Sequence, residues 1–267
     1  MFRICKFTIN YSFQLTKNLF IGSIQINLNE VDSTNNYARQ LVRDKTPIEG
    51  TLVVAKDQIS GRGQRSNSWV SEPNMNLTCS YILRPVFLAA KDQFILSASV
   101  ALAVFETISA LLPNEDVKVK WPNDVLVNGK KIAGILIENV LRGPNLETSI
   151  IGIGINVNQV RFPTSLNPTS IKLITDSNVK TAAVLDLLST QLERFYLQLR
   201  EGKLDELLGL LNSNLFGSGI VMNLQVNDQI ESVIIVGVEK TGELRLEHSN
   251  GTQTLHLHHE INWQLKL

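Results

Sequence analysis

Gly61-Arg62-Gly63-Gln64-Arg65 sets two guanidinium groups among glycines. Glycine lets the main chain take positive φ and approach a ligand closely, and arginines beside exposed amide N–H groups form an anion cradle suited to phosphate. A solvated surface turn would read the same way. Two better-known phosphate signatures fail: the third glycine of GxGxxG is replaced by Ser66, and GxxxxGK[ST] is absent. Dinucleotide redox chemistry and P-loop hydrolysis are therefore disfavoured. A second group is Lys120-Trp121-Pro122-Asn123-Asp124, followed by Lys130 and Lys131. Pro122 holds Asn123 and Asp124 in a rigid turn, and a returning strand can bring a lysine back to face them. A carboxylate and a lysine near a phosphate loop can bind magnesium and neutralise charge during attack at phosphorus. Taken alone, a capped hairpin with a surface ion pair explains the same residues.

Two further stretches are more ambiguous. Ile151-Gly152-Ile153-Gly154-Ile155-Asn156 would bare one strand face, against which a flat ligand, another strand or a packed helix can lie. Asp32-Ser33-Thr34-Asn35-Asn36 clusters hydroxyls and amides where a helix begins, and capping accounts for that cluster without any ligand. All four histidines fall in the C-terminal segment, with His256 and His258 expected to share a strand face; without cysteines or clustered carboxylates they make a poor metal site. GxSxG and HExxH do not occur.

The elements that must position these groups follow from periodicity. Strands are expected over 23–28, 51–55, 77–83, 117–121, 125–127, 131–139 and 149–157, with Asn128-Gly129 as a two-residue hairpin turn. Helices are expected after Ser33, over about 91–112, over 181–200 and over 204–211. Strands that mostly neighbour one another point to an α+β fold, a mixed sheet with helices packed on one face. Beyond Gly217 short alternating strands separated by Thr-Gly and Asn-Gly turns describe a small all-β barrel. The division is placed at 1–217 and 218–267. Read as an open sheet edge, 150–157 offers a route to a homodimer.

Composition narrows the class. With 43% apolar and 19% charged residues over 267 positions the chain is globular, not disordered. Lys plus Arg equals Asp plus Glu at 25 each, so broad capture of nucleic acid or anionic membrane is disfavoured. Cys5 and Cys79 cannot build a disulfide framework or a four-cysteine zinc site. The most apolar stretch, 94–112, contains Glu106 and reads as a buried helix. The first twenty residues lack an apolar signal core. The expected compartment is the cytoplasm.

Taken in order, VDSTNNYA, AKDQISGRGQRSNSW, NLTCSYILRP, KWPNDVLVNGKKIAGILIE and IIGIGINVN resemble the biotin protein ligase family over about residues 20–160, and the C-terminal segment is similar to that family's small SH3-like domain. The resemblance implies a class II synthetase-like catalytic domain. It further implies two reactions: biotin and MgATP give biotinyl-5′-adenylate, and the biotinyl group then passes to a lysine of the biotin carboxyl carrier domain of acetyl-CoA carboxylase or a related carboxylase. By the same resemblance Ser33, Thr34, Asn35 and Gln58 meet the ureido ring, while Gly134, Ile135, Gly152 and Gly154 shape a slot. Arg62, the amide of Gly63, and Lys131 offset the charge of the two reacting anions. Asp124 holds Mg2+ or orients the acceptor amine, Asn123 supports its turn, and Trp69 covers the adenylate. Gly61, Gln64, Arg65 and Asn156 complete the implied substrate-binding set. Gln64 departs from the arginine many members carry there, which leaves the pyrophosphate clamp open. Some members begin with a DNA-binding winged helix; about twenty residues precede the resemblance here, so a ligase without operator binding is expected. A lipoate or octanoate ligase of the same fold and a non-catalytic biotin-binding module are the competing readings.

Overall fold

The structure, a computed structural model, describes residues 10–13 as main chain and residues 18–64, 67–163 and 167–263 in full. Cys5 and Arg65 lie outside them. Strand β1 (Asn10–Phe13) pairs antiparallel with β2 (Ile24–Val31), and helix α1 (Thr34–Asp44) follows. β3 (Thr51–Gln58) and β4 (Leu77–Leu83) flank the glycine–arginine loop. After α2 (Gln93–Leu111) come β5 (Val117–Lys120), β6 (Asp124–Val127), β7 (Lys130–Arg142) and β8 (Asn145–Ile155). The sheet order is β1-β2-β3-β4-β8-β7-β6-β5; β2 and β3 run parallel and the other neighbours antiparallel, so the sheet is mixed.

The short α3 (Ile171–Thr175) precedes α4 (Thr181–Arg200) and α5 (Leu204–Ser213). A single helical turn has no apolar period, which is why periodicity passes over α3. The expected arrangement of helices on one face needs correction. Tyr81 on β4 reaches Ser189 of α4, Oη to Oγ 2.8 Å, whereas its neighbour Ser80 reaches Thr34 and Asn35 of α1. Successive strand residues point to opposite faces, so α1 covers one face and α4 the other. Correspondingly, Ala38 of α1 packs with Ile26, Leu28, Val53 and Ile82, while Leu96, Val100, Val104, Leu188 and Leu192 of α2 and α4 join the larger core on the far side. The segment Ala90–Leu111 is long and apolar enough to cross a membrane by composition, but it is mostly buried inside the protein. A helix apolar all round is what a core centre requires. The proposed dimer edge is also corrected: β8 carries Ile150–Ile155 and lies between β4 and β7, its hydrogen bonds already taken.

A second, all-antiparallel sheet follows: β9 (Val221–Val226), β10 (Gln229–Val238), β11 (Leu244–His248), β12 (Gln253–His256) and β13 (Ile261–Asn262), ordered β12-β11-β10-β9-β13. β9 is half exposed and β13 only two residues long, so neither shows a clear alternation in sequence. Its core of Leu224, Val226, Val233, Ile235, Leu244 and Leu246 also takes in Trp121 and Leu215 from outside the sheet. Trp121 Nε1–H donates to the carbonyl of Gly242 at 3.0 Å, which fastens the Lys120–Asp124 turn to the second sheet.

Candidate active site

One cavity of about 310 Å³ gathers the separate motifs. Ser33, Thr34, Asn35, Gln58, Arg62, Gly63, Gln64, Trp69, Asn123, Asp124, Lys131, Gly134, Ile135, Gly152 and Gly154 all line it, and so do Lys120, His258 and Trp263. Of the expected set, Gly61 and Asn156 are not on its wall, and Arg65 lies outside the described residues.

At the uncharged end, Ser33 precedes α1 in extended conformation but makes no side-chain capping bond, so capping is not the purpose of this cluster. The Thr34 main-chain N–H and its Oγ1–H both donate to Gln58 Oε1, at 2.8 and 3.0 Å. With that oxygen taken twice, Gln58 offers a ligand its amide N–H groups. Ser80 Oγ is 2.8 Å from Thr34 Oγ1 and 2.6 Å from Asn35 Oδ1, and Asn35 Nδ2 donates to Glu138 Oε2 at 2.9 Å. Buried polar groups joined in this way hold one another in place, and a half-satisfied network would be costly. Cys79, in the same wall, is buried and its thiol is pushed up by burial, so it is no nucleophile.

At the charged end the returning hairpin does what the turn chemistry requires. Asn128 and Gly129 both take positive φ, 51° and 74°, as the two-residue turn demands. Opposite Val125 and Leu126 the partners are Ala133 and Lys131, so Ile132 is an extra residue in β7. Lys131 and Gly134, three apart, would otherwise point to opposite faces; the bulge puts them on the same one. Lys131 Nζ reaches Asp124 Oδ1 at 2.6 Å, and a Cβ added at Gly134 would lie 3.3 Å from Lys131 Nζ. Asn123 locks the turn, its Nδ2 donating to the carbonyl of Ile135 and its carbonyl accepting from the Ile135 N–H, both at 2.9 Å. Burial pulls the Lys120 ammonium below the usual lysine range; Asp124 opposes the fall and Lys131 adds to it. Lys120 Nζ also sits 5.1 Å over the ring of Trp263. In sequence Lys120 stands in the motif of Asp124 without a role of its own, His258 suggests only a strand face shared with His256, and Trp263 gives no signal, since it comes from the far end of the chain.

The glycines serve the chain's own side chains. A Cβ at Gly154 would fall 2.4 Å from Trp69 Cε2, one at Gly134 3.1 Å from Trp69 Cζ3, and one at Gly152 2.3 Å from Asn35 Oδ1. The flat group lying against the bare strand face is therefore the Trp69 indole. Its Nε1–H, like Gln64 Oε1, is buried and has no hydrogen-bond partner among the described residues. The loop that delivers Trp69 is closed at its base by Trp69 N–H to Gly61 O, 2.9 Å, and Gly63 N–H to Asn67 O, 2.8 Å. Gly61 acts there through its missing side chain, since a Cβ would meet the Trp69 carbonyl at 2.4 Å. Asn156 is corrected to a support: it is buried, its Nδ2 donates to Thr169 O at 3.0 Å, and Thr169 N–H donates to Lys131 O at 2.8 Å. β8 ends at Ile155, so the alternation that would have turned Asn156 toward the cavity has already stopped.

Among the described residues no three His, Cys, Asp or Glu side chains come together around a metal-sized space. His256 ends β12 and approaches Thr254 Oγ1 at 2.7 Å, whereas His258 has left the strand and stacks edge-on to Trp121 at 6.0 Å. The shared strand face expected for them is not formed.

Residues 28–156 match the model of the biotin/lipoate A/B protein ligase family. The chain is 32% identical over 245 residues to the bifunctional ligase/repressor BirA of Bacillus spizizenii, covering 90% of this chain and 74% of that protein. It is 35% identical over 182 residues to a biotin–[acetyl-CoA-carboxylase] ligase of Paracoccus denitrificans, covering 64% and 72%. Among solved structures, the biotin protein ligase of Aquifex aeolicus in complex with biotin and ATP superposes with a TM-score of 0.73 at 28% identity, over 89% of this chain and 97% of that one.

Proposed function

The chain belongs to the biotin protein ligase family, and from that premise we propose that it joins biotin to ATP as biotinyl-5′-adenylate and then transfers the biotinyl group to a lysine of a carboxyl carrier domain. The observation that carries this reading is the polarity of one cavity, with neutral hydrogen-bonding groups at one end, Lys120 and Lys131 beside the one carboxylate on its wall, Asp124, at the other, and Arg62 lining the same cavity. The relative from Aquifex aeolicus is a complex with both biotin and ATP. A ureido ring needs several fixed hydrogen bonds, which Ser33, Thr34, Asn35 and Gln58 can supply. A dithiolane or plain alkyl chain offers no acceptor to the Gln58 amide N–H groups, and a donor left buried and unpaired costs about 1–3 kcal/mol. That favours biotin over lipoate or octanoate.

In the first step a carboxylate oxygen of biotin attacks the α-phosphorus, the bond to the β-phosphate bridging oxygen breaks, and pyrophosphate leaves. Two anions must meet, so cations held in place beforehand lower the barrier, each contributing about 3 kcal/mol in favourable cases. Arg62, the amide of Gly63, and Lys131 take that part, and Gln64 offers its amide to the departing phosphates. Asp124, the one acidic side chain on the cavity wall, would be the protein ligand of a magnesium ion brought by the nucleotide. The bound ion would neutralise phosphate charge. In the second step a neutral lysine amine attacks the acyl carbon, the C–O bond to AMP breaks and AMP leaves, and the amine gives up its proton to solvent; Asp124 orients that amine. Trp69, pinned across Gly134 and Gly154, keeps water from the adenylate. With this reading goes a division into a catalytic part, 1–217, and a C-terminal β part, 218–267. The acceptor is assigned to acetyl-CoA carboxylase or a related enzyme because the Paracoccus denitrificans relative is named for that substrate.

The test is incubation with MgATP and biotin, lipoate or octanoate separately, followed by addition of a carrier domain and mass measurement. Pyrophosphate release with biotin and a carrier heavier by one biotinyl group are expected. Adenylate from lipoate but not biotin, or biotin binding without pyrophosphate, would overturn the proposal.

A further inference from the structure

Glu138, on β7 beside the cavity, was not among the residues expected at the site. Its Oε1 accepts from Arg62 Nη1 at 3.1 Å and from Arg39 Nη2 at 3.0 Å, and its Oε2 accepts from Asn35 Nδ2 at 2.9 Å. Asn36 Oδ1 receives the same two guanidiniums, at 3.1 and 3.0 Å. One carboxylate thus faces two guanidiniums, and a second, Asp32, accepts from Asn36 Nδ2 at 2.6 Å. Polar contacts also run from Gln58 through Thr34, Ser80, Asn35 and Glu138 to Arg62, the one Ser80 hydroxyl proton serving either Thr34 or Asn35.

We propose that Glu138 is a positioning residue that holds the Arg62 guanidinium in one orientation on the wall of the cavity. Arg62 needs such a hold: its long side chain has many rotamers to lose, and its main chain lies between two glycines. Arg39 reaches both acceptors from α1 and shares the load, so one edge of the Arg62 guanidinium is anchored on Nη1 and the remaining N–H donors stay available to an anion. Glu138 sits on β7, paired there with Ile150 of β8, so the anchor is carried by the sheet. Asn35 has two further partners, the carbonyl of Leu136 at 3.2 Å and Ser80, so the ring end does not depend on Glu138 in the same degree.

This inference rests on the reading of Arg62 as a phosphate-side cation, and the experiment separates the two. Glu138→Gln, Arg62→Ala and the double variant are compared in the full-length protein. The readouts are kcat for pyrophosphate release with biotin and MgATP, KM for ATP, and the biotin Kd without ATP. Glutamine keeps one oxygen for Asn35 but removes the charge and the shared acceptor. Glu138→Gln is expected to lower kcat on the order of tenfold, with the biotin Kd unchanged within about twofold and less than about twofold added on the Arg62→Ala background. A kcat near that of the parent in Glu138→Gln while Arg62→Ala is slow, the full loss persisting on the Arg62→Ala background, or a biotin Kd that weakens in proportion to kcat, each overturns it. Unimpaired turnover by Arg62→Ala would instead remove the reading of Arg62, and the role of Glu138 with it.

Discussion

Lys131 reaches Asp124 because one extra residue in β7 reverses which face it points to. Its ammonium is half exposed, so the pair is worth little as a stabilising contact. In the proposed reaction its value is positional: a nucleotide phosphate entering the cavity would meet a cation already placed. Lys131→Ala should lower adenylate formation by about 10²-fold, in line with loss of one preorganised donor, while the melting temperature shifts by only a few degrees. Single-turnover pyrophosphate release beside thermal melting would show it, and near-parental turnover would refute the role. At this scale residue type was readable and partnership was not. Arg62, Asp124 and Lys131 announced themselves by charge and turn context, whereas Glu138 and Ser80 are ordinary strand residues whose importance lies in what faces them. Lys120 stood in the same motif as Asp124, and only its burial beneath Trp263 singles it out.

Between elements, the bare face of β7 and β8 is where sheet geometry and chemistry meet. Gly134 and Gly154 are paired across the two strands, and the Trp69 indole lies over both. Gly154→Ala puts a methyl where the ring now is, so the indole has to move. Overpacking of this kind typically costs about 1–3 kcal/mol. The variant is expected to bind biotin at least tenfold more weakly, with a change in tryptophan fluorescence, measured by titration with biotin; parental affinity would show that the indole is not the wall of the ring pocket. The alternation of glycine and isoleucine was plain in the sequence because period two is a local property. What would lie on the bare face was not, since Trp69 arrives from a loop between different strands.

Across the whole molecule, the second sheet closes the cavity. Trp121 is shared between its core and the Lys120–Asp124 turn, and Trp263 lies over Lys120. This junction has a thermodynamic signature. Lys120 holds its proton less tightly in the folded protein than in the unfolded chain, so between its lowered pKa and the usual value of about 10.5 the unfolded state binds more protons and stability rises with pH. Below that window the cost of burying the charge is fully present. Lys120→Met should therefore raise the melting temperature at pH 7–8, and the gain should shrink as pH rises through the window toward 10.5. A gain independent of pH, or a loss at neutral pH, would contradict burial as the dominant influence on this lysine.

Turn chemistry, strand alternation and helical period depend on neighbours a few residues away, and the chain's order of motifs therefore revealed the α+β plan, the hairpin at Asn128-Gly129, the long helices and most of the charged side chains at the site. Relations between distant segments lie beyond such patterns. The face taken by α1, the interior position of β8, the bulge that turns Lys131, the withdrawal of Asn156 behind Thr169 and the wall contributed by His258 and Trp263 all follow from packing that minimises buried, unpaired polar groups and empty space over the whole chain at once. Those are properties of the assembled core, and no window of sequence contains them.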